Sequence, residues 1–529
     1  MQQKVVMIIM KLILLLIYFT VANGYNTSSR LTSENLVRHK RDNSPEILHI
    51  KYHNGPKEEL VTLKKVKDST LANSNVPIRN FEMEGGESDI YRLNHLQPIF
   101  YHGVNSFDAI TYFPHTNTLH GVIDNSYYIE DLPLNAVNIP EIVNAFMYKV
   151  SERSQRQNRR SKRMNDKRKF DEQAGPSSSK RFKQSEDKNE PKKTLYPEIL
   201  LTLDVSSKAD SRRHYPYEEA IMYVLSYWNA VDMLFRNLKL VNVRINIAGI
   251  FIGTTEEVIT NMIEDSDYQV DENSHMTIPD KIALDSLGTY FYGHSELKRD
   301  SYDFLIWMTR ASLSEGDDAQ GRNNNIFGIA APPENCGGRH QNEYEDTNKI
   351  TNRAIIEHDD KYGDFQRAAR ELAHLMFVYN DDVEVTHGCH SSNCLSSNPM
   401  QSSGIMDPSN QRLDGCLVWS YCSEIHFEKY ANSKASCCLL NFPYHSLGMS
   451  NVIEPLTVKK QCECYELHEL HPTHYQKNIC NEHLKCQNEN NHIVEVALPM
   501  DGTPCVEMTN GFCKQGDCVF KIIKEYSQE

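Results

Sequence analysis

The hydrophobic positions between residues 194 and 380 follow two alternating periods. Ile199-Leu200-Leu201-Thr202-Leu203-Asp204-Val205 is a short apolar run and predicts a buried strand. Tyr217, Ile221, Val224, Trp228, Val231 and Phe235 then recur at helical spacing and predict a long amphipathic helix. Val241, Val243, Ile245 and Ile247 alternate with Asn242, Arg244 and Asn246, which predicts a half-buried strand. Phe304-Leu305-Ile306-Trp307-Met308 and Phe327-Gly328-Ile329-Ala330 predict two more strands. Asp364 stands where it would cap a helix whose Ala368, Leu372, Leu375 and Met376 form one apolar face. Strands alternating with helices predict an α/β domain built on one twisted mixed sheet. Residues 25–150 read differently, as short β-like runs such as Ile99-Phe100-Tyr101 separated by turn-rich gaps.

The N-terminus carries a different pattern. Lys4 and Lys11 precede the apolar run Leu12–Phe19, and Ala22-Asn23-Gly24 supplies small residues for a cleavage site. This is the form of a secretory signal peptide, residues 1–24. An uncleaved anchor is the alternative, but spanning a bilayer needs about 20 apolar residues. No later segment is long enough to span. The sequon Asn26-Thr27-Ser28 offers a glycosylation site at Asn26.

Composition then breaks the chain in two. Residues 152–193 hold fifteen Lys+Arg against seven Asp+Glu and almost no large aliphatic residues, so they cannot bury a core and predict a linker. Arg160-Ser161-Lys162-Arg163 within it is a dibasic processing sequence. Cleavage there would leave residues 25–163 as a propeptide and 164–195 as a basic disordered linker. An uncut solvated linker or a nuclear or nucleic-acid patch are the rival readings. The second conflicts with a signal peptide and with a net charge of −15. All fourteen cysteines lie after residue 335, which predicts a disulfide-stapled C-terminal part in an oxidising compartment.

One helix concentrates the chemistry. Arg370-Glu371-Leu372-Ala373-His374-Leu375-Met376-Phe377-Val378-Tyr379-Asn380-Asp381 resembles the metzincin zinc motif, H-E-x-x-H-x-x-G-x-x-H followed by Asp. Ser403-Gly404-Ile405-Met406-Asp407 resembles the methionine turn beneath such a site. Trp419-Ser420-Tyr421-Cys422-Ser423 resembles the closing segment of the reprolysin (adamalysin, ADAM) branch. Leu498–Cys505, Gly511-Phe512-Cys513 and Gly516-Asp517-Cys518 resemble the cysteine-rich module of ADAM-TS proteins. Secreted arthropod venom and salivary metalloproteases are similar in architecture.

The resemblance implies a metzincin-type α/β domain over 196–440, a β-rich propeptide before it and a disulfide-rich module over 455–525. It implies zinc as cofactor, calcium as a structural cation, and extracellular proteins as substrates or targets of a monomer. Cys336 pairing with Cys422 is implied too, with Cys389, Cys394 and Cys416 in the same lobe. Cys505, Cys513 and Cys518 would be bridged within the module. Adjacent Cys437 and Cys438 must reach different partners unless one stays free.

Carried over residue by residue, the motif is depleted. Glu371 stands at the general-base position and His374 at the second ligand position. Arg370 and Asn380 occupy the first and third ligand positions, and Phe377 replaces the glycine. Arginine has no lone pair and repels a dication, and an amide oxygen suits zinc poorly. A bulky aromatic adopts positive φ with difficulty, which predicts an altered helix exit. Disturbing a residue that merely supports a ligand lowers zinc affinity about 10–100-fold, so losing two ligands predicts a protein without zinc hydrolysis. Three separate changes also argue against a single sequence error.

His358, His387 or His390 could serve as substitute ligands, against their reading as loop histidines. His468, His471 and His474 near Cys462 and Cys464 read as a solvated loop, because oxidised cysteines do not ligate. Without zinc, Glu371 reads as a helix-surface carboxylate with Arg370 and Asp381 as ion-pair partners, and Met406 as a core methionine. The sequence therefore predicts a secreted pseudoprotease or toxin-like binder of extracellular proteins, with an active zinc endopeptidase of rearranged ligands as the alternative. A third class, an interaction protein dominated by its N-terminal part, requires the 152–193 run to stay attached.

Overall fold

The computed structural model describes the chain between residues 29 and 520, apart from 34–44, 82–90, 134–144, 150–191, 206–216, 294–301, 316–325, 332–349, 382–403, 407–416, 444–456, 470–478, 506–510 and shorter breaks. The signal peptide, Asn26, the processing residues Arg160, Lys162 and Arg163, and Cys336, Cys389, Cys394 and Cys416 lie outside the described residues.

The N-terminal part closes into an eight-stranded antiparallel barrel. Its strands are β1 (Ser29–Ser33), β2 (Ile47–Asn54), β3 (Lys57–Lys65), then β6 (Ile99–Gly103), β7 (Ala109–Phe113), β8 (Thr118–Ile123), β9 (Tyr127–Pro133) and β10 (Ala145–Lys149). Alternate side chains such as Leu48, Ile50, Leu63, Ile110 and Ile129 point inward to a core of their own. Gly121, at φ 138, lies so near the Ala109 carbonyl that no side chain fits. Two short strands leave the barrel, β4 (Pro77–Asn80) and β5 (Tyr91–Arg92).

Beyond β11 (Thr194–Leu195) runs β12 (Glu198–Val205), the strand expected at 199–205, buried along its whole length. Helix α1 (Glu218–Arg236) follows as expected, and nearly all of it is buried. The half-buried strand expected over 241–247 is not formed as one piece. Only β13 (Asn242–Val243) pairs there, with β11, and the continuous strand is β14 (Asn246–Thr254). β14 is a parallel strand covered on both faces, so it reads as an unbroken apolar run rather than an alternation.

Helices α2 (Thr255–Met262) and α3 (Asp280–Gly293) follow, with the small strands β15 (Gln269–Val270) and β16 (Met276–Pro279) between them. Next come β17 (Phe304–Thr309), β18 (Ser312–Ser314), β19 (Gly328–Ala330) and β20 (Arg353–Glu357). The main sheet has the order β19-β20-β17-β12-β14-β4-β5, parallel except at its two edge strands. Both faces carry apolar clusters, one under α1 and one under α2 and α3.

α4 (Phe365–Leu375) begins at Asp364, whose side chain accepts no capping hydrogen bond; a short 3-10 turn, Tyr362–Asp364, starts the helix instead. The expected apolar face of Ala368, Leu372, Leu375 and Met376 is fully buried. α5 (Tyr421–Ala431) is capped by Ser420, which accepts from the Ser423 amide. The C-terminal part holds α6 (Val458–Cys464) and small strand pairs, and it is rich in disulfides. Cys462–Cys486, Cys480–Cys513 and Cys505–Cys518 lie within it, and Cys437–Cys464 ties it to the preceding domain. Cys438 is also disulfide-bonded, so the adjacent pair reaches different partners. Among the described residues no helix is long and apolar enough to cross a membrane.

Candidate functional site

α4 runs between α1 and the sheet edge formed by β19 and β20. Its last two turns carry Arg370, Glu371 and His374. The helix ends in a Schellman motif: the Phe377 amide donates to the His374 carbonyl (3.0 Å) and the Val378 amide to the Ala373 carbonyl (3.0 Å). This motif puts its C′ residue in the left-handed region, and Phe377 is there at φ 56. The altered helix exit expected from the missing glycine is therefore not found. Packing supplies the compensation, because the Phe377 ring sits against the main core with its centroid 5.8 Å from that of Tyr430.

With the exit turned, Asn380 comes back beside the helix. Arg370 Nη2 donates to Asn380 Oδ1 at 2.9 Å, so the residues at the motif's first and third ligand positions are bonded to each other. His374 Nδ1 donates to the Val378 carbonyl (2.8 Å), which leaves its lone pair on Nε2. Burial, and then the Arg370 charge, hold this imidazole neutral with a pKa lowered to about 4.

Glu371 is not a surface carboxylate. It is 6% exposed and lies against Gly328 of β19, where an added Cβ would come 2.9 Å from Glu371 Cγ. Burial raises its pKa to about 7, and the Arg370 charge opposes this only in part. Of the two expected ion-pair partners, Arg370 donates to Asn380 while its charge also acts on Glu371, and Asp381 accepts from the hydroxyls of Ser420 and Ser423. The Asp381 amide also donates to the Met406 carbonyl (3.0 Å), which fixes that turn beneath the helix exit. Met406 is fully buried in the same core as Leu372 and Met376. Trp419 Nε1 donates to the Leu234 carbonyl (2.8 Å), anchoring the segment to the end of α1.

Of the substitute ligands, His358 is buried, stacked on Tyr223, and donates from Nε2 to the Asp204 carbonyl (3.1 Å). That bond uses Nε2, so in the neutral ring the lone pair lies on Nδ1. His387 and His390, like His471 and His474, lie outside the described residues. Cys480, Cys505 and Cys518 alone, among the described residues, bring three such ligand atoms within 4.8 Å, and all three are in disulfides.

Sequence reasoning missed Asp204. Its carboxylate is buried at the end of β12 and accepts from Trp307 Nε1 (3.1 Å), the Arg310 amide (2.7 Å) and Thr255 Oγ1 (3.1 Å); burial raises its pKa to about 6. An acid closing an otherwise apolar strand was the available signal.

No family model matches the chain. A Bombyx mori protein described as "A disintegrin and metalloproteinase with thrombospondin motifs like" is 24% identical over 349 residues, 64% of this chain and 47% of that protein. Venom metalloproteinase 3 of Eulophus pennicornis is 25% identical over 250 residues, 46% of this chain and 52% of the relative. Venom metalloproteinase 2 of the same species is 26% identical over 191 residues, 36% of this chain and 40% of the relative. The chain spans about half the length of these curated relatives. It is a homologue of metalloproteinases. Its relatives are of the reprolysin, or ADAM, type, and insect venom proteins are among them.

Proposed function

We propose that this chain is a secreted, processed reprolysin-type protein that has lost zinc catalysis and binds extracellular proteins through the former cleft and the cysteine-rich module. The Arg370–Asn380 hydrogen bond carries this reading. A zinc site needs three neutral or anionic donors converging on one point. Here a permanent cation and an amide satisfy each other at two of those positions, and His374 Nε2 is the remaining donor. Zinc does not fit this set. Without it, Glu371 is a buried carboxyl group with a pKa of about 7 and no activated water to deprotonate. Calcium belongs to the reading only as a structural cation, which oxygen ligands would hold. The disulfides suit an oxidising, extracellular setting.

The relatives' description as metalloproteinases favours a second reading, an active zinc endopeptidase with rearranged ligands. It would need His358, through Nδ1, or His387 or His390 to share a metal with His374 Nε2.

Zinc content per chain separates the two. The wild type and His374→Ala are expected to carry no stoichiometric zinc and to leave casein uncut. The double variant Arg370→His with Asn380→His is expected to gain about one zinc, because Phe377 already sets the helix exit that a third histidine requires. One zinc in the wild type, lost in His374→Ala, would overturn the proposal.

A further inference from the structure

The N-terminal barrel does not rest on the α/β domain as a detachable cover. Residues 70–71 and 76–81 are bonded into that domain and form part of it. β4 lies parallel to β14, with Ile78 beside Ile250 and Asn80 beside Ile252, and the Phe81 amide donates to the Ile252 carbonyl (2.8 Å). The Ile247 amide donates to the Leu71 carbonyl (2.7 Å), and Thr70 Oγ1 to the Ile245 carbonyl (2.9 Å). Without these residues β14 would be an apolar, unpaired edge.

Packing follows the same path on both faces of the sheet. Val76, Ile78, Phe100, Phe113 and Val122 belong to one core with Ile250, Trp228 and Val231. On the other face Phe81 stacks on Tyr290 at 5.0 Å and meets Phe251 and Phe291 edge-on. Gly253 of β14 admits it: an added Cβ there would lie 2.8 Å from Phe81 Cβ.

α1 completes the joint with polar groups that only the barrel satisfies. Asn229 is fully buried; its amide donates to the Ile110 carbonyl (3.1 Å) and Thr111 Oγ1 (3.3 Å), and its Oδ1 accepts from His102 Nε2 (2.8 Å). Removing the barrel would strand this amide on an apolar helix face, at the desolvation cost of an unpaired polar group.

We infer that cutting within residues 152–193 does not release the barrel: the N-terminal fragment stays as a permanent, non-covalent second chain, supplying strands β4 and β5 to the sheet. This rests on the proposed processing only for its biological setting. β4 joins at the sheet edge opposite β19, so retention is compatible with a target binding on the β19 side.

Limited trypsin on the folded full chain tests it, because the 152–193 run offers fifteen cleavable side chains whether or not a convertase cuts there. The nicked protein should show two fragments on a denaturing gel but elute as one species on size exclusion, even when diluted to nanomolar concentration. Phe81→Ala, whose uncut form serves as the folding control, should raise the concentration at which the fragments separate about 100-fold or more. Wild-type fragments that separate without denaturant would overturn the inference. So would a folded Phe81→Ala protein whose fragments hold together as tightly as the wild type's. N-terminal sequencing of the secreted protein reports separately whether the natural cut occurs.

Discussion

At the scale of single residues, Phe377 and Arg370 matter most. A non-glycine residue in the left-handed region costs about 1–2 kcal/mol, and Phe377 accepts that cost because its ring packs on Tyr430 and the core. The two terms can be separated. Phe377→Ala removes the packing and keeps the strain, whereas Phe377→Gly removes both. The alanine variant should therefore be the less stable by about 1 kcal/mol in urea unfolding. An alanine variant as stable as the glycine variant would mean that position 377 carries no backbone strain. Arg370 acts through charge: it bonds Asn380 and helps to hold His374 neutral.

At the scale of elements, α1 is the shared wall between barrel and sheet, and its contact with β6 is sensitive to acid. His102 is half-buried with its ring bonded to Asn229, and loss of solvation lowers its pKa from about 6.5 to about 4. Near neutral pH the ring is uncharged whether the protein is folded or unfolded. As pH falls below about 6.5 the unfolded chain takes up a proton that the folded protein refuses until about 4. Stability from this group is thus full above pH 7 and lost as pH falls through that window, by about 3 kcal/mol. The urea midpoint should drop between pH 7.5 and pH 5, and His102→Gln should drop by less. His358 and His374 have lowered pKa values and keep part of the slope in that variant. An equal drop in both proteins would remove His102 from the account.

At the scale of the whole molecule, three units are joined by different means. The barrel and the α/β domain share strands and a core. The C-terminal part is held to the domain by Cys437–Cys464, which closes a segment 27 residues long. Loop-closure entropy makes such a bridge worth about 3–4 kcal/mol. Replacing both cysteines (Cys437→Ser with Cys464→Ser) should split thermal unfolding into two transitions, with the C-terminal part melting first. A single unchanged transition would show that packing alone couples the two units.

The local features were legible in the order of side chains alone. Apolar runs marked β12 and β17, a helical period marked α1, and the identities of Arg370, Phe377 and Asn380 raised the question of zinc. These follow from side-chain pattern and donor chemistry, which neighbours along the chain decide. The tertiary structure decided what depends on distant partners. Phe377 takes positive φ because the Schellman hydrogen bonds and Tyr430 hold it there. Glu371 is buried because Gly328, far away in sequence, leaves room for it. β4 enters the sheet through pairing with a strand about 170 residues later, and parallel pairing over such a separation leaves no periodic trace in either segment.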